Sequence, residues 1–203
     1  MKIYISADME GVAGIVHPDQ RQIGNPEYTW ARRLMAEEVN AAVRGALKAG
    51  AEEILVNDSH GNMRNLIPEH LHPEAQLITG NVKPWAMMEG IDGSFAAAFF
   101  IGYHARRGAK RGVLEHTYSE RRIYELRLNG VPAGEIAINA ALAGHYGVPV
   151  VLVSGDEEAV REAKAFLGQV VGVKVKGGIS RLSARSLHPE KAQGLINEEE
   201  SHA

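Results

Sequence analysis

The sequence predicts an α/β protein: a doubly wound, mostly parallel sheet covered by helices on both faces, with one inserted β-hairpin. Three observations carry this prediction. Short apolar runs bounded by turn or polar residues recur along the chain, amphipathic helical patterns lie between them, and one stretch alternates around an Asn-Gly pair. The apolar runs fall at 2–7, 53–56, 76–79, 95–102 and 148–154, and each reads as a buried strand.

Between the first two runs, Trp30, Leu34, Met35, Val39, Ala42, Val43 and Leu47 recur at three and four residues, and Gly50 stops the pattern as a C-terminal cap does. A second helix is expected over 134–145. A third is expected over 156–167, where Asp156 can cap and Glu157 and Glu158 suit the positive helix start. Alternation of strand and helix implies right-handed crossovers and helices on both faces of the sheet. The exception is 121–128, which alternates up to Asn129-Gly130 and continues into Val131, a hairpin signal that favours positive φ at the turn. From about Gly177 the chain is rich in Ser, Arg, Lys and Glu and ends in Glu198-Glu199-Glu200-Ser201-His202-Ala203. The expected division is therefore an α/β unit over 1–178 and a polar C-terminal helix or tail over 179–203.

Composition narrows the function classes. At 203 residues the chain can bury a sizeable core, and 45% hydrophobic with 23% charged residues is ordinary for a soluble globular protein. A net charge of -3 and scattered basic residues, apart from Arg106, Arg107, Lys110 and Arg111, argue against nucleic acid as a partner. The first apolar run is too short for a signal peptide and meets acid at Asp8, and no later run approaches membrane-spanning length, so a cytoplasmic protein without a membrane partner is expected. With no cysteine, any metal must be held by histidines and carboxylates.

In open α/β sheets, ligands bind beyond the carboxyl ends of strands. Three such ends are chemically loaded: Asp8-Met9-Glu10-Gly11, Asn57-Asp58-Ser59-His60-Gly61 and Gly102-Tyr103-His104. Asp8 and Glu10 stand two apart, so an extended backbone points both carboxylates to one side, where like charges raise each other's pKa unless a cation joins them. The alternative is a capping Asp8 and a solvated Glu10. His60 reads as a loop histidine or a ligand, and His104 as a buried structural histidine or a ligand facing the same crevice as Asp8. Glu135 opens a helix, which the helix dipole explains without a metal; it is also a ligand candidate. His116 reads as an ordinary strand histidine or as a spare functional one. His70 and His72 flank a proline-punctuated turn, His145 suits a last helical turn, and His17, His188 and His202 look exposed. Three carboxylates and two imidazoles suit a pair of divalent ions better than a single tetrahedral structural zinc.

The stretches Ser6-Ala7-Asp8-Met9-Glu10-Gly11, Val56-Asn57-Asp58-Ser59-His60, Gly102-Tyr103-His104-Ala105 and Gly134-Glu135 resemble, in order and spacing, the zinc-dependent D-aminopeptidases of the bacterial dipeptide-operon type. Leu71-His72-Pro73-Glu74-Ala75, Val82-Lys83-Pro84 and Val148-Pro149-Val150 leading to Gly155-Asp156 extend the likeness, which runs from Met1 to about His188. The resemblance implies two zinc ions per chain. Asp8 bridges both, Glu10 and His104 complete one shell, and His60 with Glu135 complete the other. It implies that His116 is the catalytic residue, described in the family as a nucleophile; an acid or base role is chemically easier to defend for an imidazole facing an amide. It further implies cleavage of N-terminal D-amino acids from short peptides and homo-oligomerisation into a decameric ring. Family members continue past the point where this chain stops, so 179–203 is expected to begin a further segment. On the residues alone, a dinuclear metal phosphoesterase and a metal-free α/β small-ligand-binding domain remain the rival readings.

Overall fold

A computed structural model describes residues 1–200, with side chains as far as Glu198. His202, expected to be exposed, and its neighbours Ser201 and Ala203 lie outside the described residues. Nine strands and four α-helices are seen among the described residues: β1 (Lys2–Ala7), α1 (Pro26–Lys48), β2 (Glu53–Asp58), β3 (Ala75–Ile78), β4 (Ala97–Tyr103), β5 (Arg127–Leu128), β6 (Val131–Pro132), α2 (Glu135–His145), β7 (Val150–Asp156), α3 (Glu157–Leu167), β8 (Val171–Ser180), β9 (Ser183–Ser186) and α4 (Pro189–Glu200).

Seven strands form one sheet in the order β3-β2-β1-β4-β7-β8-β9, parallel throughout except for β9, which runs antiparallel to β8 at the edge. Alternation along each strand feeds two cores. Ile3, Ile5, Ala7, Phe99, Ile101 and Leu152 pack on one face with the buried sides of α1 and α4, including Ala192 and Ile196. Tyr4, Phe100, Tyr103 and Val153 pack on the other with α2 and α3. This is the doubly wound α/β architecture that the alternation predicts. After β3 the chain returns to the other side of β1, so the order reverses between β1 and β4, and the carboxyl ends of those two strands open the crevice where such sheets bind ligands.

Local chemistry accounts for the element ends. Asn25 caps α1 by accepting from the Glu27 amide, Pro26 takes the first helical position, and Gly50, at φ 91°, turns the chain out after Lys48. Asp156 caps α3 through the Ala159 amide at 2.8 Å, as expected.

The inserted hairpin is present but shorter than expected, and the C-terminal segment holds more structure than a helix or tail alone. The hairpin turns at Asn129 and Gly130 with positive φ at both, but only 127–128 pairs with 131–132, in a small separate sheet; 121–126 forms no strand. The segment from Gly177 is not simply a helix or tail. It completes β8, adds β9 as the sheet edge and then forms α4, which packs on α1. Strand β8 escapes a search for apolar runs because Gly172, Lys174, Lys176, Gly177 and Gly178 interrupt it. It also carries the chain without a break across the 178/179 division.

Candidate metal centre

Six residues named from the sequence meet in one place. Asp8 and Glu10 follow β1, His60 lies two residues beyond β2, His104 follows β4, Glu135 is the first residue of α2, and His116 sits in the loop between β4 and β5. All are 8% exposed or less. Asp8, Glu10, His60, His116 and Glu135 line a cavity of about 170 Å³ together with Arg21, Met63, Met87 and Tyr118, and His104 reaches Asp8 and Glu135.

The fold fixes these side chains through backbone contacts. The Asp8 amide donates to Ile101 O and the Gly11 amide to Gly102 O, both at 2.8 Å. A Cβ on Gly11 would stand 1.9 Å from Tyr103 O, so only glycine lets β1 and β4 approach this closely at their ends. The His60 loop closes on Asp58, whose carboxylate accepts from the Asn65 and Leu66 amides, while Asn65 Nδ2 donates to His60 O at 2.6 Å. The His116 loop carries Leu114 and Tyr118 at φ 54°, a left-handed conformation that a non-glycine residue adopts only under constraint. That constraint includes the Leu114 amide donating to Arg181 O and the Tyr118 amide donating to Glu135 Oε1 at 2.6 Å.

Each histidine gives one ring nitrogen to a backbone carbonyl and turns the other toward carboxylates. His104 Nδ1 donates to Ala105 O at 2.9 Å, leaving Nε2 at 3.4 Å from Asp8 Oδ2 and 3.5 Å from Glu135 Oε2. His60 Nε2 faces Arg21 O at 3.4 Å, leaving Nδ1 at 2.8 Å from Glu10 Oε2 and 3.2 Å from Asp8 Oδ1. His116 Nδ1 donates to Leu114 O at 2.9 Å, leaving Nε2 at 3.8 Å from Glu135 Oε1. A carbonyl can only accept, so in the neutral rings the inward nitrogens carry lone pairs, and lone pairs facing carboxylates call for a cation between them. Two atoms favour the fit: Asp8 Oδ2 and His104 Nε2 are buried, 3.4 Å apart, with no hydrogen-bond partner. Such orphaned atoms are costly unless something binds them. The ligand atoms of Asp8, Glu10 and His104 lie within 4.8 Å of one another, as do those of His104, His116 and Glu135, while His60 sits on the Asp8 and Glu10 side.

Protonation follows the crowding. Burial, and then the charge of Glu10, push the Asp8 carboxyl up to about 7. Burial works against ionisation of Glu10, yet His60 holds that carboxyl well below the usual range, with lesser help from His116 and His104. Burial likewise opposes charge on His60 and His104, but Glu10 and Asp8 raise the first, and Glu135, Asp8 and Glu10 raise the second. The protein alone thus accumulates positive charge on imidazoles where divalent ions would otherwise supply it. His116 differs, because burial and the charge of His104, stacked on it at 4.1 Å, lower it below the ordinary imidazole value.

Sequence reasoning missed Arg21, whose Nη1 donates to Glu10 Oε1 at 3.1 Å and whose Nη2 pairs with Glu120. It missed Tyr118 and Lys176 as well. Arg21 and Tyr118 follow no apolar run, and nothing local marks them.

Comparison with known proteins places the whole chain in one family. The D-aminopeptidase family profile, peptidase M55, matches residues 1–203. The chain is 43% identical over 205 residues to the D-aminopeptidase of Bacillus subtilis strain 168, an alignment covering 100% of this chain and 73% of that protein. It superposes with a TM-score of 0.96 and 42% identity on the solved structure of the Zn-dependent D-aminopeptidase DppA from Bacillus subtilis, a self-compartmentalizing protease, over 99% of this chain and 73% of that one. The resemblance and the doubly wound fold expected from the sequence are both borne out, and the chain belongs to the D-aminopeptidase family.

Proposed function

We propose that this protein is a zinc-dependent aminopeptidase that removes N-terminal D-amino acids from short peptides at a dinuclear site. Asp8 would bridge the two ions, Glu10 and His104 would complete one shell, and His60 and Glu135 the other. The observation that carries the reading is the common orientation of His60 and His104: each turns one nitrogen to a backbone carbonyl and the other to buried carboxylates. When bound, zinc supplies Lewis acidity for the scissile carbonyl and lowers the pKa of water toward about 7.

The chain's own residues do the rest. His116 Nε2, basic because Nδ1 is committed to Leu114 O, takes and returns a proton beside the reacting centre. Met63, Met87 and Tyr118 give the cavity an apolar wall for a small side chain, and burial of the site limits access of bulk water. With zinc resupplied, the protein is expected to hold about two ions per chain and to hydrolyse D-alanyl-D-alanine but not its L,L counterpart, with activity abolished by a chelator. No more than about one ion per chain after zinc resupply would sink the dinuclear reading.

We further propose association of identical chains, in keeping with the self-compartmentalizing relative. Trp85, Val82, Ile179 and Leu182 are exposed apolar residues available for such contacts. Among the described residues no helix is long and apolar enough to cross a membrane. Light scattering coupled to size exclusion should give a mass several times that of one chain; a monomer at micromolar concentration would overturn this.

A further inference from the structure

Lys176 is 2% exposed, and its ammonium is spent on one short segment. Nζ donates to Glu10 O at 2.5 Å, Val12 O at 2.8 Å and Ile15 O at 2.5 Å. These carbonyls belong to the turn that leaves β1 and carries Glu10. From α1, the buried Glu38 meets the same turn with opposite polarity, Oε1 accepting from the Ala13 amide at 2.8 Å.

Burying an ammonium is costly, and here the three carbonyls offset that cost; an apolar side chain would leave all three without this donor. A β-bulge aims this lysine. Gly155 pairs with Lys174 but Asp156 pairs with Lys176, so Val175 is the extra residue, and Val175 and Lys176 are both buried where a regular strand would alternate. The geometry at Glu10 shows what the lysine holds. Glu10 O and the Gly11 amide belong to one peptide plane, whose oxygen is bound by Lys176 and whose N–H is bound by Gly102 O. A plane held on both sides cannot rotate, and its orientation directs the Glu10 side chain toward His60 and Asp8.

We propose that Lys176 is a positioning residue of the metal centre, locking the Glu10–Gly11 peptide so that the Glu10 carboxylate is presented to its ion. The inference rests on the dinuclear reading, in which Glu10 serves one ion and Asp8 both. Partners that orient ligands typically change metal affinity by about 10- to 100-fold.

The test is a zinc titration of Lys176→Met against wild type with a competing chelator, paired with thermal melts of the metal-free proteins. The expected result is that one ion binds as in wild type and the other is weakened by about 10- to 100-fold. Wild-type affinity for both ions would overturn the inference. So would equal weakening of both with a lowered metal-free melting temperature, the pattern of a merely structural lysine. Should Lys176→Met not fold, Lys176→Gln, whose shorter side chain has two N–H donors for three carbonyls and no charge, is titrated with the same outcomes; failure of both to fold makes Lys176 a folding residue and also overturns the inference. A wild-type protein that never holds two ions defeats the dinuclear reading itself, which the wild-type titration shows separately.

Discussion

Asp8→Asn is expected to lose both zinc ions, not one, and to lower kcat/KM by at least about 10³-fold. Asp8 lies between the two imidazoles that define the site, with Oδ1 at 3.2 Å from His60 Nδ1 and Oδ2 at 3.4 Å from His104 Nε2. Oδ1 also accepts from the Met9 amide at 2.8 Å, which fixes the rotamer, while Oδ2 has no hydrogen-bond partner. An amide at this position is neutral and presents a donor at one of the two sites, so it cannot join two cations. Glu10→Gln is the comparison: if Glu10 serves a single ion, that variant keeps about one ion per chain.

The same substitution carries a stability signature of opposite sign. In the metal-free protein the Asp8 carboxyl is raised from 3.8 to about 7. A raised acid favours the folded state least when ionised, so its penalty grows as pH rises from about 4 to about 7 and is full above that. Removing the charge should therefore make metal-free Asp8→Asn more stable than metal-free wild type at pH 8, by an amount on the order of a few kcal/mol. Elemental analysis and chemical denaturation check both parts. Two retained ions, or a destabilised metal-free variant, would contradict the assigned role.

How far the sequence reveals this centre depends on how local the cause of each position is. Asp8 and Glu10 are legible because they stand at a strand end, although β1 stops at Ala7 and Glu10 lies in the turn that follows, so the period-two geometry of an extended chain is not what brings them together. His60 and His104 are legible because they follow Asn57-Asp58-Ser59 and an unbroken apolar run, and the parallel register of β1 with β2 and β4 then brings the three ends together. Helix α1 is legible from its spacing and from Gly50. The position of His116 is set from a distance. Its loop is pinned by Arg181 of the β8–β9 turn and by Glu135, and no periodicity marks either contact. Strand β8 fails a search for apolar runs for a related reason: its buried lysine is satisfied by carbonyls more than 150 residues away in sequence. The stacking of His116 on His104 is likewise a product of the fold, although the chemistry of both residues stands in the sequence.

His116→Ala is expected to keep its zinc and lose activity by about 10²- to 10⁴-fold, with the loss in kcat more than in KM. His116 Nε2 is 3.8 Å from Glu135 Oε1, the longest of the close histidine–carboxylate approaches in the centre, and no contact with Asp8 or Glu10 holds it. In the proposed site His60 and His104 would be occupied as ligands, which leaves the His116 ring to exchange protons. Burial and the neighbouring His104 lower its pKa below the ordinary 6.5, and bound divalent ions would act in the same direction. A lowered imidazole pKa means that the neutral, proton-accepting form persists through neutral pH. Activity should accordingly hold as pH falls to about 6.5 and decline only below it, as Nε2 becomes protonated. In His116→Ala the residual rate should lose that acid limb wherever zinc remains bound. Full activity in the zinc-loaded variant would remove His116 from the mechanism, and an unchanged acid limb would assign that limb to another group.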